Sequence, residues 1–159
     1  MKVRSFFGQK SVWVGGFQQS GPLVEKFWSK TLQGLPLPKQ GKPLRNVLIL
    51  GLGCGSVIKP LLKKFPNCKI TGIEIDPEMI EFGRQYFNLG QYTNLEIICD
   101  DAVRFCKTTK RKYDLVLVDM YKGNIPEKTK INISKLLNPG GKGIINVLSG
   151  LKNKAIYIT

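Results

Sequence analysis

The sequence predicts an α/β fold, a mainly parallel sheet with helices on both faces, and three observations carry that prediction. From residue 46 onward, short apolar runs alternate with apolar residues at helical spacing, the pattern that repeated βαβ units produce. A glycine cluster, Gly51-Leu52-Gly53-Cys54-Gly55-Ser56, lies between the first run and the first helical stretch. A single acid, Glu74, stands at the end of the second run, 23 residues after Gly51.

Each element follows from local pattern. Asn46 to Leu50 (NVLIL) reads as a fully buried strand. After the glycines, Val57, Ile58, Leu61, Leu62 and Phe65 recur at helical spacing; Ser56 is the expected N-cap, and Pro60 falls in the first turn, where backbone donors lack intrahelical acceptors. Lys69 to Ile75 (KITGIEI) reads as the second strand. Asp76-Pro77 then opens a helix carrying Met79, Phe82, Gly83, Tyr86 and Phe87 on one face, with Gly83 expected to pack closely against the sheet. Leu95 to Cys99 is a third strand, Ala102 to Lys107 a short helix, Tyr113 to Asp119 a fourth strand and Lys142 to Leu148 a fifth. Thr129 to Leu137 is expected to be helical and to end at Asn138-Pro-Gly-Gly141. In front, Val3 to Phe7 and Ser11 to Phe17 read as a β-hairpin, and Pro22 to Thr31 as a helix with Leu23, Phe27 and Trp28 inward. Gly34 to Pro43, with three prolines and two glycines, reads as a linker. Ala155 to Thr159 supplies at most one short strand at a shortened C-terminal end. The whole is Rossmann-like, divided into residues 1–42 (hairpin, helix, linker) and 43–159 (the sheet domain).

Composition narrows the function. The 159 residues carry 25 Lys+Arg against 11 Asp+Glu, a formal net charge of +14, which favours anionic partners. The basic residues are scattered, and the densest cluster, Lys107, Lys110, Arg111 and Lys112, has no interleaved aromatics, so nucleic acid is only weakly indicated. The chain has no histidine, which excludes triads that need one. Its four cysteines, Cys54, Cys68, Cys99 and Cys106, form no C-x-x-C pair, so no metal site is expected and the thiols read as reduced. Met1 to Gly16 lacks the apolar centre of a secretion signal, and no stretch is long enough to span a bilayer, which together predict a cytoplasmic protein.

In an open parallel sheet, ligands collect beyond the carboxyl ends of the strands. Gly51, Gly53 and Gly55 let the backbone approach a ligand at the start of a helix. Glu74 lies at the spacing from which a carboxylate accepts bonds from both hydroxyls of a ribose. Asp100 and Asp101 offer acceptors for an adenine amino group, although one of them is expected to cap the following helix. Asp119 is the one carboxylate of an apolar VLVDMY run. Burial there would favour its neutral form and suit it to accept a proton from an amine, and bonding the backbone of the following loop is an equal alternative.

At these residues the chain resembles the spermidine synthase-like family within the class I S-adenosylmethionine-dependent methyltransferases. NVLILGLGCGS is similar to the family's first motif, GIEIDPEMIEFGRQYF to its ribose-binding acid and following helix, ICDDAVRF to its adenine-contacting segment, and YDLVLVDMYKGNIPE to its catalytic loop. Trp13 to Ser20 resembles a strand whose glutamine, here Gln19, touches the nucleoside. The resemblance implies S-adenosylmethionine, or its decarboxylated form, bound by Gln19, Gly51, Gly53, Gly55, Glu74, Ile75, Asp100, Asp101, Ala102 and Asp119, with Asp119 and Tyr121 facing the acceptor.

Three departures concern the reaction. An aspartate usual in the family's glycine turn is Cys54, an amine-holding aspartate is Lys122, and a tyrosine of the amine channel is Val24. Lys122 and Val24 remove groups that hold or line the amine, and the neutral Cys54, in place of an aspartate near the aminopropyl end of the decarboxylated cofactor, tolerates the carboxylate of ordinary S-adenosylmethionine; together the three argue against putrescine as acceptor. The expectation is therefore methyl transfer to an unidentified acceptor. Aminopropyl transfer is the alternative, followed by a non-catalytic nucleoside-binding module and, more distantly, a nicotinamide-dependent dehydrogenase. The short C-terminal end leaves a sheet edge that a second subunit would cover, giving a homodimer.

Overall fold

The computed structural model describes residues 2–6, 8–36, 43–120, 131–149 and 152–158. Two compact units emerge, each assembled from separate stretches of chain: Met1–Leu37, Leu52–Asn67 and Asp76–Thr93 form one, and Pro38–Gly51, Cys68–Ile75 and Asn94–Thr159 the other.

The first unit holds a three-stranded antiparallel sheet, β1 (Lys2–Phe6), β2 (Gln9–Val14) and β3 (Phe17–Ser20), in the order β1-β2-β3. The expected hairpin is present, but its second strand stops at Val14 instead of running to Phe17. Gly15 and Gly16 both adopt positive φ, 56° and 84°, and such a pair makes the tight turn that matches strand twist, so a third strand doubles back.

Among the described residues this unit also holds three α-helices, α1 (Pro22–Gln33), α2 (Ile58–Lys64) and α3 (Pro77–Tyr86), and a 3-10 turn at Leu89–Gln91. On α1 the buried stripe is Val24, Trp28, Thr31 and Leu32, at helical spacing. Leu23 lies off that stripe and is 62% exposed, contrary to its expected inward position. Lys64 of α2 donates from Nζ to the carbonyls of Leu32, at 2.6 Å, and Gln33, at 3.1 Å, and to that of Leu35, which sets a cation at the carboxyl end of α1. Ser56 does not cap α2. Its Oγ accepts from Gly21 N–H at 2.9 Å, and Val57 in helical conformation begins α2 without a side-chain cap. Asp76 caps α3 as expected, accepting from Glu78 N–H at 2.9 Å. Gly83 is a close-packing point, but against the glycine turn and not the sheet: a Cβ there would lie 3.2 Å from Cys54 Cα.

The second unit is a six-stranded sheet ordered β6-β5-β4-β7-β8-β9. Its strands are β4 (Asn46–Leu50), β5 (Lys69–Glu74), β6 (Leu95–Cys99), β7 (Tyr113–Val118), β8 (Leu137–Ser149) and β9 (Lys152–Ile158), with helix α4 (Ala102–Thr108) between β6 and β7. The first five pair in parallel, and β9 returns antiparallel to β8 at the edge. Val47 to Leu50 of the central β4 are all buried, as the continuous apolar run required. Residues on one face, Leu48, Leu50, Ile73, Val116 and Val118, form a core with Ala102 and Phe105 of α4.

The helix expected over Thr129 to Leu137 is absent from the described part of that span. Ile133–Leu136 is one 3-10 turn, and β8 starts at Leu137. Ile131, Ile133 and Leu136 all bury into the core, so the chain is drawn into the ladder before a second helical turn can form. Asn138 to Gly141 then bulge out of β8, since Tyr113 pairs with Leu137 but Leu115 already pairs with Lys142.

Candidate functional site

The carboxyl ends of the parallel strands in the second unit are tied side by side. The ladder continues one residue past each strand: Asp100 N–H donates to Glu74 O at 3.0 Å, Gly51 N–H to Ile73 O at 2.9 Å, and Asp119 N–H to Leu50 O at 2.8 Å. Asp100, Glu74, Gly51 and Asp119 therefore stand along one rim in strand order. At Gly51, which has φ 84°, a Cβ would lie 2.7 Å from Asp119 O. That glycine is demanded by the protein's own backbone.

The side chains on this rim differ in what holds them. Glu74 is 9% exposed, and its Oε1 accepts from Ile75 N–H at 3.0 Å. Ile75, directly after it, is 49% exposed, an apolar side chain left at the surface beside a buried acid. Asp100 accepts through Oδ1 from Asp101 N–H and from Arg104 Nε, each at 2.6 Å, and the same oxygen meets Arg104 Nη2. The neighbouring carboxylate holds the Arg104 guanidinium above its ordinary pKa. Asp101 caps α4, accepting from Arg104 N–H at 2.8 Å, and Ala102 opens that helix with its side chain buried. Asp119 is half-buried, and its Oδ1 accepts from Asn146 Nδ2 at 2.7 Å.

Asn146 was not among the residues singled out from sequence. A signal existed: it is the lone polar residue of the apolar run Ile144 to Leu148, and strand pairing of Val118 with Ile145 puts it beside Asp119.

The remaining expected residues belong to the first unit. Gln19 is half-buried on β3. Gly53 and Gly55 have φ 55° and 83°; a Cβ on Gly53 would lie 3.1 Å from Ser20 Oγ, and one on Gly55 would meet the Leu89 side chain. Ser20, also not anticipated, accepts through Oγ from Cys54 N–H at 3.0 Å, binding β3 to the glycine turn. The Cys54 side chain is buried with Val12 and Met79. Tyr121 and Lys122 lie outside the described residues. Among the described residues no group of three or more acids or cysteines is arranged to hold a metal ion, and no helix is long and apolar enough to cross a membrane.

Residues 25–146 match the family model of the spermine/spermidine synthase domain. The chain is 32% identical over 165 residues to polyamine aminopropyltransferase 2 of Aquifex aeolicus, an alignment covering 99% of this chain and 32% of that protein. It is 31% identical to the eEF1A lysine and N-terminal methyltransferase homolog of Drosophila melanogaster, over 65% of this chain and 18% of that one. The chain thus spans a third or less of the length of these two relatives. Among solved structures it is similar to human methyltransferase-like protein 13 in complex with SAH, with a TM-score of 0.62 and 23% identity over 80% of this chain and 66% of that one, which establishes the fold.

Proposed function

Because the chain belongs to the spermine/spermidine synthase domain family, we propose that its strand-end rim holds the nucleoside part of S-adenosylmethionine and that the protein transfers a methyl group to an acceptor nucleophile. The observation that carries this reading is the rim itself: a nearly buried carboxylate, Glu74, at a strand end whose backbone carbonyls take Asp100 N–H (at Glu74) and Gly51 N–H (at Ile73). Such a carboxylate is suited to accept from two ribose hydroxyls at once. The exposed Ile75 offers an apolar ledge for a purine face. The bonds of Asp100 among the described residues all fall on Oδ1, which leaves Oδ2 to receive an exocyclic amino group. Asp101 and Ala102 present the start of α4, and Gln19, Gly53 and Gly55, which belong to the first unit, are carried over from the family's motifs alone.

The cofactor, when bound, supplies an activated methyl group on a sulfonium. The chain's task is then alignment of the acceptor and removal of its proton. Asp119 is assigned the proton, and Tyr121 a wall of the acceptor pocket. The neutral Cys54 and the cationic Lys122 favour this assignment, since neither repels the carboxylate of the cofactor nor attracts a polyamine.

Aminopropyl transfer from decarboxylated S-adenosylmethionine stands as the second reading, and the likeness to the Aquifex aeolicus aminopropyltransferase along nearly the whole chain supports it. Calorimetric titration of the protein with each cofactor form separates the two. Tighter binding of S-adenosylmethionine, with no spermidine formed from putrescine, is expected. Preference for the decarboxylated form with spermidine produced would establish the second reading, and failure to bind either would remove both.

A further inference from the structure

Asn146 is a buried amide, 7% exposed, in a strand whose neighbouring residues Ile144, Ile145 and Val147 are apolar. Burying an amide costs free energy unless its groups are bonded, and a β-branched apolar residue would suit that strand position without the cost. Its Nδ2–H donates to Asp119 Oδ1 at 2.7 Å, at the short end for an N–H donor and consistent with an ionised acceptor.

The backbone of Asp119 is already fixed from the β4 side. Its N–H donates to Leu50 O at 2.8 Å, and its carbonyl fills the space where Gly51 lacks a Cβ. What the backbone leaves undetermined is the direction and charge of the carboxylate, and those are the two properties that a side-chain donor controls. We propose that Asn146 is a positioning residue: its amide sets the side-chain conformation of Asp119 and favours the ionised form, keeping a proton acceptor ready on the rim. The inference rests on the reading of Asp119 as the proton acceptor. The other carboxylates on the rim, Glu74 and Asp100, are bonded to Ile75 N–H and to Asp101 N–H and Arg104. They act on Asp119 equally with or without the amide, so a substitution at 146 isolates its contribution.

The test is an NMR titration of the whole chain labelled with 13C and 15N. In the unmodified protein the Asn146 side-chain amide signals should move with the same midpoint as the Asp119 carboxyl carbon, and Asp119→Asn should abolish that movement. Asn146→Ala and Asn146→Leu should raise the Asp119 midpoint by about one pH unit, because the lost donor had favoured the charged form. An Asn146 amide indifferent to Asp119, or an unchanged midpoint in a folded variant, would overturn the proposal. S-adenosylhomocysteine titrated into the same samples keeps the two ideas apart. Absence of binding removes the cofactor reading, while the carboxyl titration still decides the role of Asn146.

Discussion

β7 begins and ends next to an aspartate, and the two are used differently. Asp114, at the amino rim of the sheet, accepts through Oδ2 from the N–H groups of Arg45 and Asn46, both at 2.9 Å, and through Oδ1 from Asn138 Nδ2 at 2.8 Å. It stitches the start of β4 and the bulge of β8 to β7. Nearby, Asn94 Nδ2 donates to Cys68 O at 2.7 Å and Arg111 pairs with Glu96 at 2.6 Å, so polar groups on this rim are spent on the chain. Asp119, at the carboxyl rim, bonds to a side chain, Asn146, and stands in a row with Glu74, the exposed Ile75 and Asp100. The two acids are of one residue type and differ in what they are seen to bond: Asp114 gathers Arg45, Asn46 and Asn138 of its own scaffold, whereas Asp119 meets a side-chain amide on the neighbouring strand.

If the carboxyl rim is held open by close backbone approach, Gly51→Ala should be the most damaging change in it. A Cβ would lie 2.7 to 2.9 Å from the backbone of Asp119 and Met120, and backbone, unlike a flexible side chain, does not move aside cheaply. Adding the positive φ, we expect a loss of roughly 3 kcal/mol or more in urea unfolding, together with loss of S-adenosylhomocysteine binding. Wild-type stability in this variant would mean that the rim is looser than the contrast requires. Asp114→Ala comes next: two backbone N–H groups and an amide lose their acceptor, at a cost of about 2 kcal/mol of stability. Affinity for S-adenosylhomocysteine should be unchanged, and a variant that lost binding while keeping stability would erase the distinction between the rims.

Glu74→Gln should show the opposite profile. The amide oxygen can still accept from Ile75 N–H, so unfolding should be nearly unaffected, whereas loss of the charged acceptor should weaken S-adenosylhomocysteine binding about tenfold, measured by calorimetry. A stability loss without an affinity loss would class Glu74 with Asp114.

Much of this contrast was legible in the sequence because period and position carry it. NVLIL, KITGIEI, LEIIC and YDLVLVD read as parallel strands, and residues at or just past their carboxyl ends, Gly51, Glu74, Asp100 and Asp119, then fall on one rim. What was not legible depended on partners distant in sequence. Ser56 has the chemistry of an N-cap but bonds Gly21, 35 residues away, and nothing local distinguishes the two uses. The segment before β8 has helical composition, but its three apolar residues sink into the core and the ladder takes over at Leu137. Asn146 was visible as an isolated polar residue, yet its meaning required the register that sets it beside Asp119.

The smallest expected effect uses two cysteines, one on each rim. Cys68 precedes β5 on the amino rim and is buried, and burial pushes its thiol up to about 11. Cys99 ends β6 on the carboxyl rim, is exposed, and pairs in register with Glu74. Cys106, on α4, is pushed up to about 12, chiefly by burial and further by the charge of Asp101. Only the thiolate reacts, and a raised pKa keeps a thiol protonated. At pH 8 the Cys68 thiol is therefore held overwhelmingly in its unreactive protonated form. Iodoacetamide at that pH should modify Cys99 first, by peptide mass spectrometry, with Cys68 and Cys106 far behind and gaining as pH rises. If a nucleoside lies across Glu74 and Asp100, S-adenosylhomocysteine should slow alkylation of Cys99 several-fold and leave Cys68 unaffected. Equal protection of both thiols would indicate general tightening of the protein, and protection of neither would move the ligand away from the β5–β6 end of the rim.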